Sequence, residues 1–270
     1  MSSSSSTTEL AGGKLRLDHP AEHVARLTIA NPDKRNALDH AILDAIAATV
    51  PELGARCLLI TGEGPVFSAG YDIGSLPRDE FAAAAEELVA HPFHDAIEAV
   101  EAYPYPAIAA LNGHAIGGGL ELAVSCDLIV ASEDAVVGMP PAKLGLIYSH
   151  TGLRKFVDAV GLMRTRQLFH VGRNVSAARA ESWGLINEVV AAEGLAERGV
   201  ELAAEVAALA PLALAGNKRI LRELVRAAGA LDPAVERELI ALRESCFASD
   251  DFFEGVRAFA DKRKPRWTAS

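Results

Sequence analysis

Asn112-Gly-His-Ala-Ile-Gly-Gly-Gly-Leu-Glu-Leu-Ala-Val-Ser-Cys-Asp127 is the stretch on which the reading of this chain turns. It reads as the end of a β-strand, three glycines, and a helix whose first turn carries a carboxylate. Glycine lets a backbone approach a ligand closely and adopt dihedrals that would strain other residues. A helix starting there directs unpaired N–H groups at whatever faces it. Glu121 follows Gly118 by three residues, close to one helical turn, so carboxylate and N–H address the same space. Such geometry suits an anion-binding donor beside an acid/base group. A tight strand–helix turn with a solvated glutamate fits the same residues.

Bulk properties narrow the classes. The chain has 270 residues, half of them hydrophobic, enough for one large domain with a sizeable core. No apolar run approaches the ~20 residues that span a bilayer, so a soluble protein is expected. Met1–Gly13, rich in serine, lacks the basic and apolar regions of a secretory signal and reads as a disordered tail over 1–13. Cys57, Cys126 and Cys246 are odd in number and widely spaced, which suits buried thiols in a reducing cytoplasm. No His, Cys or carboxylate grouping has metal-ligand spacing, so no metal is expected. A net charge of −10 argues against a general nucleic-acid surface, while leaving room for a local basic patch.

Along the chain, apolar runs at Val24–Ala30, Cys57–Thr61, Pro106–Leu111 and Asp127–Ala131 read as strands. Helical periodicity marks Ala37–Val50 and Phe81–Ala102, the latter interrupted by Pro92. Gly62–Pro65 is a turn cluster, and Phe67–Ile73 is a small-residue loop after a strand. Repeated strand–turn–helix order indicates an α/β core. Ser176 and Gly184 bracket a short helix, Leu185–Val190 is a last strand, and Leu195–Lys264 reads as helices. The expected organisation is therefore a core over 14–195 and a helical region over 196–270.

Both glycine-containing loops follow short apolar strands, so both can lie at one sheet edge. Two backbone N–H groups from two such loops would form an oxyanion hole. Phe67-Ser-Ala-Gly-Tyr-Asp-Ile73, together with Asn112–Glu121 and Cys126-Asp127, resembles the crotonase (enoyl-CoA hydratase/isomerase) superfamily. Asn31-Pro-Asp-Lys-Arg-Asn-Ala-Leu38 extends the likeness, which covers about 14–265. The resemblance implies a spiral of ββα units and a helical C-terminal trimerisation region, in a homotrimer or homohexamer. It also implies an acyl-CoA thioester, its carbonyl held by the N–H groups of Tyr71 and Gly118, with the Tyr71 ring lining the acyl pocket. No cofactor beyond the CoA moiety of the substrate is implied.

One departure bears on the reaction. Hydratases of this family resemble one another in a second glutamate that helps activate water, and its position here is Pro141. Proline has no acid or base to offer. Glu133 and Asp134 fall on the far side of a strand. Pro141-Ala-Lys-Leu-Gly-Leu-Ile-Tyr148 instead resembles the methylmalonyl-CoA decarboxylase branch, which keeps a glutamate at Glu121 and a tyrosine at Tyr148. Decarboxylation needs an enolate stabilised as CO2 leaves, and an acid to protonate the carbon. Glu121 and Tyr148 are the expected catalytic pair. Hydration, isomerisation, thioester hydrolysis and a non-catalytic CoA-binding role are the alternatives.

An acidic protein needs local cations to hold the CoA phosphates. Lys34 and Arg35 are candidates in the Asn31–Leu38 turn, and the resemblance adds Ala69, Asp72 and Ile73, within the first loop, as expected CoA contacts. The basic tail Phe259-Ala-Asp-Lys-Arg-Lys-Pro-Arg266 resembles the family's terminal Phe-x-x-Lys, which reaches the CoA of a neighbouring subunit and maps onto Phe259 and Lys262. His150 lies near Tyr148 and reads as structural. His91, His94 and His114 carry no assigned chemistry.

Overall fold

Short aliphatic runs, each ended by glycine or a polar turn, build two sheets wound into one spiral. The computed structural model describes residues 7–72 and 92–268. Among these, a seven-stranded sheet runs in the order β1 (Thr8–Leu10), β2 (Leu15–Ala21), β3 (Val24–Ile29), β4 (Cys57–Gly62), β6 (Ala107–Leu111), β8 (Leu128–Ser132), β11 (Glu188–Val190). The first three strands pair antiparallel, and from β3 to β11 the pairing is parallel. A second sheet stacks β5 (Val66–Ser68), β7 (His114–Ile116) and β9 (Val136–Gly138) in parallel, with β10 (Val175–Ser176) antiparallel at its edge.

Each turn of the spiral places one strand in the large sheet and the next in the small one. β4 leads to β5, β6 leads to β7 and then helix α3 (Gly118–Val124), and β8 leads to β9. The expected spiral of ββα units is thus the fold.

Alternation within the strands supplies both faces of the large sheet. Leu58 and Ile60 point into the main core with α1 (His40–Thr49) and α2 (His94–Ala102). Cys57 and Leu59 point the other way, onto α6 (Leu195–Ala207), with Val24, Ile108 and Val130. Burial of each such aliphatic side chain contributes ~1.5–3 kcal/mol. The Cys57 thiol, removed from water, is pushed up to about 12 and behaves as packing rather than as a nucleophile.

Two expected boundaries move. The 1–13 tail is too long, because Thr8–Leu10 pairs with Leu15–Leu17 across a turn in which Gly12 and Gly13 take φ +65° and +89°. Leu10 packs against the core and gives that edge strand its anchor. The division at 195/196 cuts a helix that covers one sheet face. The C-terminal helical region therefore begins at α7 (Pro211–Gly229), followed by α8 (Pro233–Phe247) and α9 (Asp250–Ala260). Helix α1 starts at His40 rather than Ala37, because the Asp39 carboxylate caps it by accepting from the Ile42 N–H at 3.0 Å. The last strand is confined to Glu188–Val190. Helix α5 (Ala177–Ser182) has the expected Ser176 cap, and Gly184 follows it at φ +80°. The part of the Phe81–Ala102 helix before Pro92 lies outside the described residues.

Buried amides hold the turn that carries the first loop. The Asn36 side chain accepts from the Asn31 N–H at 2.9 Å and donates to the carbonyls of Glu63 and Val66 at 2.9 and 2.6 Å. Asn112 ties the same turn from the next strand, accepting from Gly62 N–H at 3.0 Å. Replacing Asn36 by alanine leaves buried backbone groups unsatisfied and is expected to cost about 2–4 kcal/mol, read as a lower denaturant midpoint at unchanged m-value.

Candidate active site

The site lies beyond the carboxyl ends of β5, β7 and β9, where open parallel sheets place their ligands. After β5 the chain passes Gly70 at φ +93°. The Leu38 N–H donates to the Gly70 carbonyl at 2.8 Å, and the Asp72 N–H donates to the Leu38 carbonyl at 3.0 Å. This parallel bridge uses the groups on either side of Tyr71 and turns the Tyr71 N–H away from Leu38. The Ser68 hydroxyl pins the loop from below, donating to the Asn36 carbonyl at 2.8 Å.

After β7, Gly117 adopts φ +57° and caps α3, which begins at Gly118. Two of the three glycines therefore lie inside the helix rather than before it. Gly118 opens the helix, so its N–H has no acceptor one turn back. Neither the Tyr71 nor the Gly118 N–H donates to a protein acceptor among the described residues. The two loops touch directly. A Cβ on Gly70 would lie 3.1 Å from the Gly118 nitrogen and 2.8 Å from the Ile116 carbonyl oxygen. A Cβ on Gly118 would lie 2.8 Å from the Tyr71 ring, so that ring folds over the helix start.

Glu121 stands in the first turn of α3 and is 4 % exposed. Tyr148 is also buried and donates its hydroxyl to Glu121 Oε2. Burial pushes the Glu121 carboxyl up to about 7, and the Tyr148 hydrogen bond opposes that rise by favouring the charged form. Burial also raises the Tyr148 phenol well above its ordinary value, with the Glu121 charge adding to the effect. Tyr148 therefore stays protonated and acts as a donor. The Tyr71 hydroxyl sits 3.5 Å from that of Tyr148, a contact at the edge of hydrogen-bond range. Phe93 meets the Tyr71 ring edge-on at 4.7 Å, and Phe169 meets Tyr148 at 5.4 Å. A small crevice, lined by Tyr71, Leu146, Tyr148, Arg243 and Phe247, opens beside these phenols.

The second carboxylate is absent where sequence reasoning places it. Pro141 is buried at the start of a single 3-10 turn, Pro141–Leu144. Glu133 and Asp134 are exposed in the β8–β9 turn. His150 opens helix α4 (His150–Arg166) and contacts Glu236 at 3.3 Å, in keeping with a structural role. His94 is exposed at the start of α2, His114 begins β7, and His91 lies outside the described residues. Among the described residues, no group of three or more metal-ligating side chains assembles.

The residues assigned to CoA fall into two groups. Lys34 and Arg35 are exposed at the head of the first loop, with Arg35 at φ +56°. Lys34 Nζ lies 3.9 Å from Asp72, and the Ala69 N–H donates to the Arg35 carbonyl at 3.1 Å, so these four residues converge. Ile73 lies outside the described residues. Phe259, 74 % exposed, stands near the end of α9 with Lys262 just beyond it, and no described hydrogen bond or ion pair joins them to the first group. Sequence reasoning missed Arg243 and Phe247, which line the crevice from α8. An arginine among the charged residues of an exposed amphipathic helix carries no spacing signal of its own.

Residues 20–270 match the family described as enoyl-CoA hydratase/isomerase, and the chain belongs to it. It is 32 % identical over 248 residues to the 2,3-dehydroadipyl-CoA hydratase of Escherichia coli (strain K12), covering 90 % of this chain and 94 % of that protein. A probable enoyl-CoA hydratase of Bacillus subtilis (strain 168) is 35 % identical over 256 residues, covering 91 % and 95 %. Among solved structures, methylmalonyl-CoA decarboxylase complexed with 2S-carboxypropyl-CoA superposes with a TM-score of 0.87 at 27 % identity, covering 95 % of this chain and 98 % of that one.

The raised Glu121 carboxyl has a consequence for stability. Its proton is bound more tightly in the folded chain, so its stabilising contribution is full below 4.5 and is lost as pH rises through about 7. Glu121→Gln is expected to remove a loss of about 3 kcal/mol across that window. Denaturant unfolding at several pH values in wild type and variant measures it.

Proposed function

We propose that the protein is an acyl-CoA lyase that works through a thioester enolate and decarboxylates a methylmalonyl-CoA-like substrate. The carrying observation is the lone buried carboxylate among the described residues: Glu121 accepts from Tyr148, whose ring lines the crevice, and no described acid pairs with it. In this reading the thioester oxygen accepts from the Tyr71 and Gly118 N–H groups. The bond between the α-carbon and the carboxylate breaks, CO2 leaves, and the electron pair enters the enolate. Each fixed donor contributes ~3–4 kcal/mol to that developing charge. Neutral Glu121 then delivers its proton to the α-carbon and becomes a carboxylate, which the Tyr148 hydroxyl stabilises. A carboxyl near 7 is suited to this, since an acid of ordinary strength would be ionised at neutral pH.

Hydration of a 2-enoyl-CoA is the second reading, favoured by the names of the hydratase relatives. Water activation would then fall to Glu121 alone. Binding of CoA by Lys34, Arg35, Ala69, Asp72 and Ile73, with Phe259 and Lys262 contributed by a neighbouring subunit, belongs to either reading, and neither calls for a further cofactor. We also infer a homotrimer or homohexamer, supported by the apolar face that α7 leaves exposed at Leu212, Ile220, Leu221 and Leu224. We also infer a cytoplasmic location, supported by three widely spaced cysteines suited to a reducing compartment.

Purified protein offered methylmalonyl-CoA is expected to release CO2 and propionyl-CoA, with little hydration of crotonyl-CoA, products being identified by mass. Rapid crotonyl-CoA hydration without CO2 release would overturn the proposal. Decarboxylation is expected to decline as pH rises through about 7, following the protonated Glu121. Glu121→Gln should lower kcat at least about 100-fold and flatten that limb.

A further inference from the structure

Tyr148 reaches Glu121 from a loop that has no ladder of its own. Between the turn Pro141–Leu144 and helix α4, residues 145–149 form neither helix nor strand. Backbone groups in such a segment still need partners once they leave water. Two of them find one in Cys246, the penultimate residue of α8. The Cys246 thiol donates to the Gly145 carbonyl at 2.9 Å, and the Ile147 N–H donates to its sulfur at 3.3 Å. Burial raises that thiol above its ordinary value, so it remains an S–H donor at neutral pH. The clasp brackets Leu146 and ends one residue before Tyr148.

The corner from which Cys246 acts is itself fixed. The Ser249 hydroxyl donates to the Cys246 carbonyl at 2.7 Å and accepts from the Phe252 N–H at 3.1 Å, capping α9. Helix α9 then lies on the same loop at backbone distance. Gly145 takes φ +66°, and a Cβ there would lie 2.7 Å from the Asp251 carbonyl oxygen. A Cβ on Gly255 would collide with the Leu144 carbonyl. On the other side, Phe169 meets the Tyr148 ring edge-on. A Cβ on Gly152 would lie 2.6 Å from that ring and 3.0 Å from Glu121 Oε1. With the ring held between these walls, the reach of its hydroxyl toward Glu121 is set by the backbone at 145–148.

We propose that Cys246 is a positioning residue, its thiol holding the Gly145–Ile147 backbone so that the Tyr148 hydroxyl meets Glu121. The assignment rests on the reading that Glu121 and Tyr148 carry the chemistry of this site, and it places part of their geometry in the C-terminal helices. A thiol makes weak hydrogen bonds. A displacement at Gly145–Ile147 nevertheless passes directly to Tyr148, whose bond to the carboxylate depends steeply on distance and angle. Burial raises the Glu121 carboxyl and the Tyr148 bond opposes the rise, so loosening that bond moves the titration to higher pH. Among the described residues, the titratable groups that act on Glu121 are the Tyr148 and Tyr71 phenols. Burial raises both well above their ordinary values, so neither titrates with it.

The test compares full-length wild type, Cys246→Ala, Cys246→Ser, Tyr148→Phe and the double variant Cys246→Ala with Tyr148→Phe. The Glu121 titration is followed in substrate-free protein by infrared difference against the matching Glu121→Gln protein. Values of kcat and KM are measured with methylmalonyl-CoA and crotonyl-CoA. Cys246→Ala is expected to raise the Glu121 midpoint by about half a pH unit and to lower kcat about threefold or more, with KM within about twofold. Cys246→Ser, which keeps a donor and an acceptor, should recover most of both. In the Tyr148→Phe background the alanine substitution should add nothing, because the hydroxyl it positions is gone. Additive losses, or a wild-type midpoint in Cys246→Ala, would overturn the proposal. So would fast hydrogen exchange of the Ile147 amide in wild type, a result that stands even where Cys246→Ala fails to fold. A shifted midpoint without turnover of either thioester would support this assignment and overturn the acyl-CoA lyase reading.

Discussion

The structure depends on one close approach between two backbones. Gly70 lies against the nitrogen of Gly118, and Gly119 lies so near Ser68 that a Cβ there would meet the Ser68 Cβ at 2.6 Å. No side chain fits between the loop after β5 and the helix after β7. This contact brings the Tyr71 and Gly118 N–H groups together, so an anion bound between them would be held by the main chain. Donors held this way need not reorganise when charge develops on the ligand, which is why such sites lower barriers. It also explains how a bulky tyrosine could occupy a donor position: only its N–H would serve the hole, while its ring covers Gly118 and packs on Phe93.

Around that fixed pair the chemistry is set by burial. A glutamate placed one turn into a helix that starts at the hole sees the N-terminal dipole, which favours its charge. Removal from water opposes this and prevails, so the carboxyl sits at about 7 despite the Tyr148 hydrogen bond. The balance leaves one group able to hold or release a proton at neutral pH. A second carboxylate nearby would add charge repulsion. Among the described residues none is present, Pro141 stands at the expected position, and Glu121 answers to its own desolvation and to Tyr148.

Much of this was legible in the sequence, and for an identifiable reason. The parallel strands β4, β6 and β8 are continuous apolar runs because both their faces are covered, so composition alone marked them. The glycines at 70, 117 and 118 announced the two loops because backbone contact tolerates little else. Short strands of the second sheet, such as Val136–Gly138, gave little signal, since three residues cannot display a period. The edge strand Thr8–Leu10 was concealed in a serine-rich terminus, where composition outweighed three ordered residues. Helix α6 was grouped with the C-terminal helices because sequence periodicity shows an apolar stripe without saying which sheet face covers it. Arg243 was unreadable for a related reason. Its place beside the crevice follows from where α8 packs, a tertiary placement that no local pattern encodes.

Relatives with the same architecture carry names of different reactions, a hydratase at 32 % identity and a decarboxylase at a TM-score of 0.87. The arrangement of this site shows how that is physically reasonable. Hydration and decarboxylation both pass charge onto the thioester oxygen, so the same pair of N–H groups serves both. What separates them is where the charge comes from. Hydration brings it with an attacking water that needs a base, and two acids sharing a water do this well. Decarboxylation starts with the charge already on the substrate and needs an anion-tolerant wall beside an acid that stays neutral until the carbon is ready. Here Arg243 and two phenols line the crevice, and burial raises the Glu121 carboxyl that Tyr148 contacts. Among the described residues, an attacking water would find one buried carboxyl whose proton burial helps to retain, which is an acid's setting more than a base's.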